Sequence, residues 1–431
     1  MSAPEPGAWL FDRPAGGIRW GLERTEAMLA GAGNPHRRFR AVHVAGTNGK
    51  GSVSALCESA LRAADPARRT GLYTSPHLVS FAERIRIAGR SVDRDLLLAC
   101  EARLRPAIEG SGATFFEATT AIAFLCFAEA GVDLAVVEVG LGGRLDSTNV
   151  ILPLVSAVTN VARDHVEYLG DSLASIAREK AGILKPGVPA ITGERGPEAL
   201  AVLGSVAAGV GAPLAELDRI CRISDVSVAL EGTRFRLDSE RWGTQEVAIP
   251  LIGRHQARNA ALAAEVLGAL PDTDRPTWDA VDAGFRSVRW PGRLQVEVRR
   301  GQTWIFDVAH NPAGVAALAE TLDALNLPRP VVLLVAILAD KVWSEMLPSL
   351  VERVDAAVLT VAPTAPPERR WDPEAAAHGL AFRPGFTLHV IPDFDAALAR
   401  VETLAPYGTV LVTGSVHTVG DAMSALGFAT G

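Results

Sequence analysis

The stretch Ala41-Val42-His43-Val44-Ala45-Gly46-Thr47-Asn48-Gly49-Lys50-Gly51-Ser52 constrains this chain more than any other. A short apolar run reads as a buried strand. It breaks into a glycine-rich turn, beyond which Val53, Leu56, Ala60 and Leu61 fall on one helix face. Strand, glycine loop, lysine and helix form the architecture that holds nucleotide phosphates. Glycines let backbone N–H groups approach an anion, Lys50 offers a point charge, and the helix N-terminus adds the positive end of its dipole. The spacing departs from the general G-x-x-x-x-G-K-[ST] pattern, with Val44 at the first glycine position and Gly51 between Lys50 and Ser52. An ordinary βα turn with a surface lysine is the alternative. It leaves the concentration of Gly46, Gly49, Lys50 and Gly51 unexplained.

Before the loop, a helix is expected over 21–30. After it, Thr70-Gly71-Leu72-Tyr73 is a short strand leading to Ser75, and residues 81–87 with Val92 form a loop or irregular strand. Helices are expected over 94–109 and 117–130. Residues 133–139 are an almost unbroken apolar strand carrying Glu138, followed by a glycine-rich loop over 140–149. A strand over 155–161 ends just before Asp164-His165, and a helix over 172–181 follows with Asp171 or Ser172 as its cap. Continuous apolar runs suit a parallel sheet covered on both faces, and the alternation predicts a doubly wound α/β fold. Ligands of such sheets bind outside the carboxyl ends of the strands. Four strands end at the glycine loop, Ser75, Glu138 and His165, so parallel strands would bring those groups to one edge.

Residues 190–250 look less regular, with hairpin structure around Phe235, Leu237, Val247 and Ile249. A helix is expected over 256–270. Trp290-Pro291-Gly292-Arg293 breaks the pattern, which divides the 431 residues into domains 1–290 and 291–431. In the second, strands are expected near 304–308, 331–337, 356–361, 387–391 and 409–413, with helices between. A net charge of −7 gives no support for nucleic-acid or anionic-membrane partners. No apolar run approaches the length of a membrane span. The four cysteines are scattered without a metal or disulfide pattern, and the first residues lack the features of a signal peptide, so the cytoplasm is expected.

An unpaired carboxylate inside an apolar strand is costly, so Glu138 is either salt-bridged or a ligand for a hard cation such as Mg²⁺. His165 is structural or a ligand. Lys180 shares an apolar helix face with Leu173, Ile176 and Ala177. Its bland account is a snorkelling stem with the ammonium in water. Spacing does not decide against that account.

Several ordered motifs then form a pattern. They are Gly46–Ser52, Ser75-Pro76-His77-Leu78, Phe116-Glu117-Ala118-Thr119-Thr120, Glu138 through Asp146, Asp164-His165 and Glu179-Lys180-Ala181-Gly182-Ile183. His255-Gln256 with Asn259, Pro291-Gly292-Arg293 and Ala309-His310-Asn311-Pro312 complete the series. In that order they resemble the bacterial folylpolyglutamate synthase/dihydrofolate synthase family of the Mur ligase superfamily, over about residue 20 to Gly420. The family's loop reads GTNGKG and then a hydroxyl residue, which accounts for the unusual spacing.

The resemblance implies a Mur-ligase-like fold, with a P-loop-containing doubly wound domain for ATP and pterin and then a smaller Rossmann-like α/β glutamate-ligase domain. It implies Asn48, Gly49, Lys50, Gly51 and Ser52 on the ATP phosphates. Asn259, Arg293 and Asp307 would hold the nucleotide, the last two from across the domain junction. Ser75, Glu138 and His165 would bind Mg²⁺, with two ions expected. Thr114, Phe115, Phe116 and Glu117, and Leu145, Asp146 and Ser147, match segments lining the pterin site. Lys180 matches the lysine that the family carbamylates, giving an anionic group able to support the second Mg²⁺. His310 and Ser415, each just beyond an expected strand, are candidates for the glutamate side. Lys50, Lys180 and His310 would carry the catalysis. One departure is Val308, where the family usually has glycine.

The implied activity is ATP-dependent joining of L-glutamate to dihydropteroate or to the γ-carboxylate of a folate, through an acyl phosphate, by a monomer. Closure of two domains would shield that intermediate from water. A different carboxylate acceptor within the superfamily is the alternative. A murein-type Mur ligase carries a UDP-binding domain before its glycine loop, for which forty residues leave no room. A nucleotide-dependent switch needs neither the candidate metal ligands nor a second α/β domain.

Overall fold

The computed structural model describes residues 7–11, 19–380 and 384–429. They fall into two compact units. The first holds the described residues up to Ser224, with Phe235–Ala248 and Arg258–Val288. The second holds Asp225–Arg234, Ile249–Ala257 and the described residues from Arg289 onward.

The first unit is built on an eight-stranded sheet. Its strands are β1 (Arg40–Ala45), β2 (Thr70–Tyr73), β3 (Ile85–Ile87), β4 (Arg90–Ser91), β5 (Leu134–Glu138), β6 (Val155–Val158), β7 (Ala190–Thr192) and β8 (Leu214–Glu216). Their spatial order is β4-β3-β2-β5-β1-β6-β7-β8. From β2 to β8 the neighbours pair in parallel, while β3 and β4 are antiparallel additions at one edge. Side chains of a strand alternate between faces. Accordingly Ala41, Tyr73, Ala135 and Val137 pack with the helices Glu23–Gly31, Arg94–Ser111 and Phe115–Glu129. The helix Lys50–Ala64 packs on β1, β2 and β5. Phe115–Glu129 is buried continuously from Glu117 to Ala128, so it shows no amphipathic stripe.

Differences from the sequence expectation have local causes. Strand β6 stops at Val158, because Thr159 and Asn160 turn away to bond the glycine loop. Residues 81–87 resolve into a helical turn, Phe81–Arg84, and then β3. The region 190–250 is more regular than expected. It holds β7, the helix Pro197–Val210, β8 and a three-stranded sheet of β9 (Cys221–Ala229), β10 (Gly232–Ser239) and β11 (Gly243–Ile249). Pro197–Val210 escapes a periodicity search because its buried stripe is thin, only Ala199, Leu203 and Ala207.

The second unit's sheet contains β12 (Gln295–Arg299), β13 (Gln302–Phe306), β14 (Val331–Val335), β15 (Ala356–Leu359), β16 (Thr387–Val390) and β17 (Thr409–Thr413). The order is β12-β13-β17-β14-β15-β16, parallel except for β12. Val331, Leu333 and Val335 face the helices Pro312–Ala324 and Trp343–Val351. Each of the five expected strands has its counterpart. Strand β12 was unforeseen, since Gln-Val-Glu-Val-Arg is half polar and sits at an edge with Val298 exposed.

Two packing details in the first unit can be tested. The helix Trp278–Ser287 lies so close to Lys50–Ala64 that a Cβ on Gly284 would stand 2.4 Å from the Ala60 Cα. There the Ser59 hydroxyl donates to the Gly284 carbonyl at 2.7 Å. Gly284→Ala is therefore expected to destabilise the protein by about 2 kcal/mol through overpacking, read from urea unfolding. An unchanged midpoint would show that the helices part freely.

The second detail is His43, a wholly buried imidazole on β1. Burial first, and then the field of Lys185, push its pKa from 6.5 down to about 3. Above pH 6.5 the folded and unfolded chains are both neutral at this site. Below it the unfolded chain takes up a proton that the fold refuses, so stability drops as pH falls toward 3. Between pH 6.5 and 4, the wild type should lose stability more steeply than His43→Gln, by about 1.4 kcal/mol per pH unit. Equal slopes would show that His43 protonates within the fold.

Candidate active site

Parallel pairing in the order β2-β5-β1-β6 places the carboxyl ends of four loaded strands side by side. At the centre, β1 opens into the glycine loop. Gly49 has φ +82° and caps the helix Lys50–Ala64 without a side chain. A Cβ there would be strained, and it would meet the Asn259 carboxamide oxygen at 2.6 Å. Asn259 thus lies on the loop. Lys50 curls back so that its ammonium donates to the Gly46 and Thr47 carbonyls, both at 3.1 Å.

The segment after β6 braces this loop. Thr47 N–H donates to the Asn160 carbonyl at 2.9 Å, and Asn48 N–H to the Asn160 side chain at 2.9 Å. The Thr159 hydroxyl donates to the Asn48 carbonyl at 2.6 Å. The Thr47 hydroxyl accepts from Ala162 N–H at 3.0 Å and donates to the Ala162 carbonyl at 3.1 Å. Glu194, just past β7, secures the brace by accepting from the Val161, Arg195 and Gly196 N–H groups. None of these supports was singled out from sequence. The signal was a polar pair, Thr159-Asn160, ending an apolar strand.

Ser75 and Glu138 come together as expected. Glu138 is 5% exposed, and its carboxylate accepts from Ser75 N–H at 3.2 Å. Arg84, buried nearby and missed in the sequence, donates from Nε to His77 Nδ1 at 2.7 Å and lies 5.2 Å over the Phe115 ring. His165 adopts a left-handed φ of +51° and lies 3.9 Å from the Asp164 carboxylate. Among the described residues, no group of three or more His, Cys, Asp or Glu side chains gathers into a metal-holding arrangement. The expected set takes only Glu138 and His165 from those types.

Lys180 is 3% exposed, so its stem does not carry the ammonium out to water. Burial and then the charge of Lys50 lower its pKa to about 7, against the raising influence of Asp164 and Asp146. A neutral amine is therefore well populated near neutral pH. Ammonium offers no lone pair to a metal or an electrophile, whereas the free amine does.

The two segments matched to a pterin site are tightly built. Thr114 and Glu117 form a reciprocal capping box, and Glu117 also accepts from Arg24 at 2.8 Å. The Phe116 ring closes over Gly140, and Phe115 packs edge-on to Phe81 at 6.2 Å. Asp146 accepts from Leu141 N–H at 2.8 Å, Thr148 N–H at 3.0 Å and the Thr148 hydroxyl at 2.5 Å. Leu145 is half-buried and Ser147 buried beside it. Glu117 and Asp146 thus hold their own loops in shape.

In the second unit, Asp307 accepts from Leu294 N–H at 3.0 Å and Ala309 N–H at 2.9 Å. Burial raises its pKa, opposed first by the charge of Arg293. Val308 takes the glycine position without positive φ, its N–H bonded to the Gly292 carbonyl at 3.0 Å. His310 is half-buried, with Nδ1 2.9 Å from the Val308 carbonyl. Ser415 is buried, and its hydroxyl accepts from Thr418 N–H at 3.0 Å as a helix cap. That leaves His310 the more accessible of the two glutamate-side candidates.

Residues 44–267 match the Mur ligase middle domain, and 292–416 the Mur ligase glutamate ligase domain. The chain is 36% identical over 96% of its length to a probable bifunctional folylpolyglutamate synthase/dihydropteroate synthase of Haloferax volcanii, of which it spans 49%. It is 35% identical to the dihydrofolate synthase/folylpolyglutamate synthase of Mycobacterium tuberculosis, over 94% of this chain and 90% of that one. The structure of E. coli FolC in complex with DHPP and ADP superposes with a TM-score of 0.86 at 31% identity, covering 99% of both chains. The chain belongs to the Mur ligase family, and within it to the dihydrofolate synthase/folylpolyglutamate synthase enzymes.

Proposed function

We propose that this enzyme joins L-glutamate to the carboxylate of dihydropteroate, to the γ-carboxylate of a reduced folate, or to both, using ATP to activate the carboxylate as an acyl phosphate. The observation that carries this is the braced glycine loop, with Asn259 against it and, on the same edge, Glu138 at the end of the adjacent strand β5 paired with Ser75 beyond β2. Backbone N–H groups at the start of Lys50–Ala64, with the Lys50 ammonium, bind the ATP phosphates and stabilise charge on the group in transfer. Phe115, Phe116 and the 145–147 loop shape the acceptor site. From the second unit, Arg293 and Asp307 contact the nucleotide and His310 the incoming amino acid. The residues 1–290 and 291–431 serve as the ATP- and pterin-binding domain and the glutamate-ligase domain. Four free cysteines support a reducing compartment such as the cytoplasm. No helix among the described residues is long and apolar enough to cross a membrane.

The donor chemistry fits Mg²⁺, since the Glu138 carboxylate is a hard oxygen donor and Ser75, whose N–H it accepts, carries a hydroxyl oxygen of the same kind. Ser75, Glu138 and His165 would hold it, with Lys180 beside a second ion. When bound, Mg²⁺ neutralises charge on the phosphate oxygens. We assign Lys180 as a carbamate: the neutral Nζ adds to dissolved CO₂ and releases one proton to water, leaving an N-carboxylate. Its burial and a pKa of about 7 supply the neutral amine that this addition needs.

The test is a purified-enzyme assay with ATP and glutamate, offering dihydropteroate and tetrahydrofolate separately. Glutamate-dependent phosphate release is expected with at least one acceptor, and its absence with both would overturn the assignment. Lys50→Ala should lower that rate at least about a hundredfold while melting as the wild type does. Lys180→Arg should be comparably inactive, because a guanidinium keeps positive charge where an anionic group is needed. Lys180→Ala should regain activity with added short carboxylic acids. A ¹³CO₂-labelled carbamate signal from the wild type, lost in Lys180→Ala, checks the assignment independently of turnover. A fully active Lys180→Arg enzyme would return Lys180 to a structural role.

A further inference from the structure

One buried polar chain links the strand that opens the glycine loop to the loop that follows Glu138. On β1, His43 Nε2 lies 2.9 Å from the Thr148 hydroxyl oxygen, which in turn lies 2.5 Å from the Asp146 carboxylate. All three side chains are buried. An ionised carboxylate only accepts, so the Thr148 proton points to Asp146. The Thr148 oxygen is then left to accept, which places the imidazole proton on Nε2. Nδ1 then carries no proton, in keeping with the absence of any hydrogen-bond partner that could accept one from this buried nitrogen. Asp146 also accepts from the N–H groups of Leu141 and Thr148, so it ties the start of the 140–149 loop to its end. Val44, next to His43, pairs with Glu138, so the loop departs beside β1.

We propose that His43 is a positioning residue: its Nε2–H orients the Thr148 hydroxyl toward Asp146, and this fixes the loop that receives the acceptor substrate. The proposal rests on the reading of residues 145–147 as part of the acceptor site. His43 touches no reacting atom in this account. It acts through Thr148, and its neutral donor form is maintained by burial in the core beneath Phe115–Glu129. A purely space-filling histidine would be indifferent to which nitrogen carries the proton.

The tautomer is read from ¹⁵N-histidine spectra of the full-length protein at pH 7, with the His43 signal assigned by its loss in His43→Gln. An Nε2–H neutral ring is expected, and an Nδ1–H ring or an imidazolium overturns the proposal. In steady-state assays, His43→Leu should raise the KM for the pteroate or folate acceptor roughly tenfold, as expected for leaving a buried hydroxyl misdirected. The KM for ATP should stay within about twofold. Thr148→Val should match it, the double variant should be no worse than either alone, and His43→Gln, which retains an N–H donor, should recover most of the loss. Multiplying effects in the double variant, or an equal rise in the KM for ATP, would sink the proposal. Thr148→Val provides the test if His43→Leu fails to fold. Asp146→Asn separates the two levels. An unmoved acceptor KM there refutes the acceptor-site reading itself, whereas a raised one alongside a normal His43→Leu refutes the role of His43 alone.

Discussion

Everything at the active edge depends on how the glycine loop hangs from the segment after β6. A loop that offers its N–H groups to an anion must still satisfy its remaining backbone groups, or the folded state carries their desolvation. Here the Asn160 carbonyl and carboxamide and the Thr159 hydroxyl meet that need for Thr47 and Asn48. The brace is itself held by Glu194 from the next strand, whose carboxylate gathers N–H groups on both sides of the 161–196 excursion. Rigidity is therefore passed from β7 through β6 to β1. A site preorganised in this way need not reorganise when phosphate charge develops, which is where electrostatic catalysis gains its advantage.

The same edge concentrates charge of both signs in little solvent. Lys180 is the most informative member, since desolvation and Lys50 disfavour its ammonium while Asp164 and Asp146 favour it. The balance falls near neutrality, so the side chain is poised between two chemical species. Had it snorkelled to the surface, its pKa would have stayed near that of an ordinary lysine and the amine would be scarce at pH 7.

The outline of this arrangement was legible in the sequence because it is local. The glycine loop, the apolar strand ending at Glu138 and the strand preceding Ser75 each announce themselves within a dozen residues, and parallel alternation places their ends together. The supports were not legible because they are long-range. Asn160 stands more than a hundred positions from the backbone it holds, and Thr148 about as far from His43. Polar residues of this kind look like ordinary loop residues until the fold brings them to their partners. The region 190–250 differs from expectation for another reason: its helix buries only Ala199, Leu203 and Ala207 along a narrow stripe, which leaves little periodicity to detect.

Asp146 and Asp307 show a shared solution in the two units. Each stands at a loop beyond a strand, is buried, and accepts two backbone N–H groups: Asp146 from Leu141 and Thr148 in its own loop, Asp307 from Ala309 in its own loop and from Leu294 just before β12. Burial raises the pKa of both, while those N–H groups favour the ionised form. A carboxylate held by its own backbone cannot swing to meet a ligand. It presents whatever acceptor capacity remains in one fixed direction, so a partner must bring its donor to the correct position or leave a buried charge poorly satisfied. Recognition by such a group is harsh toward near-misses, because a misplaced donor forfeits the hydrogen bond and still displaces water. The rigidity that makes these aspartates useful for holding loops is therefore what would make them selective for what enters.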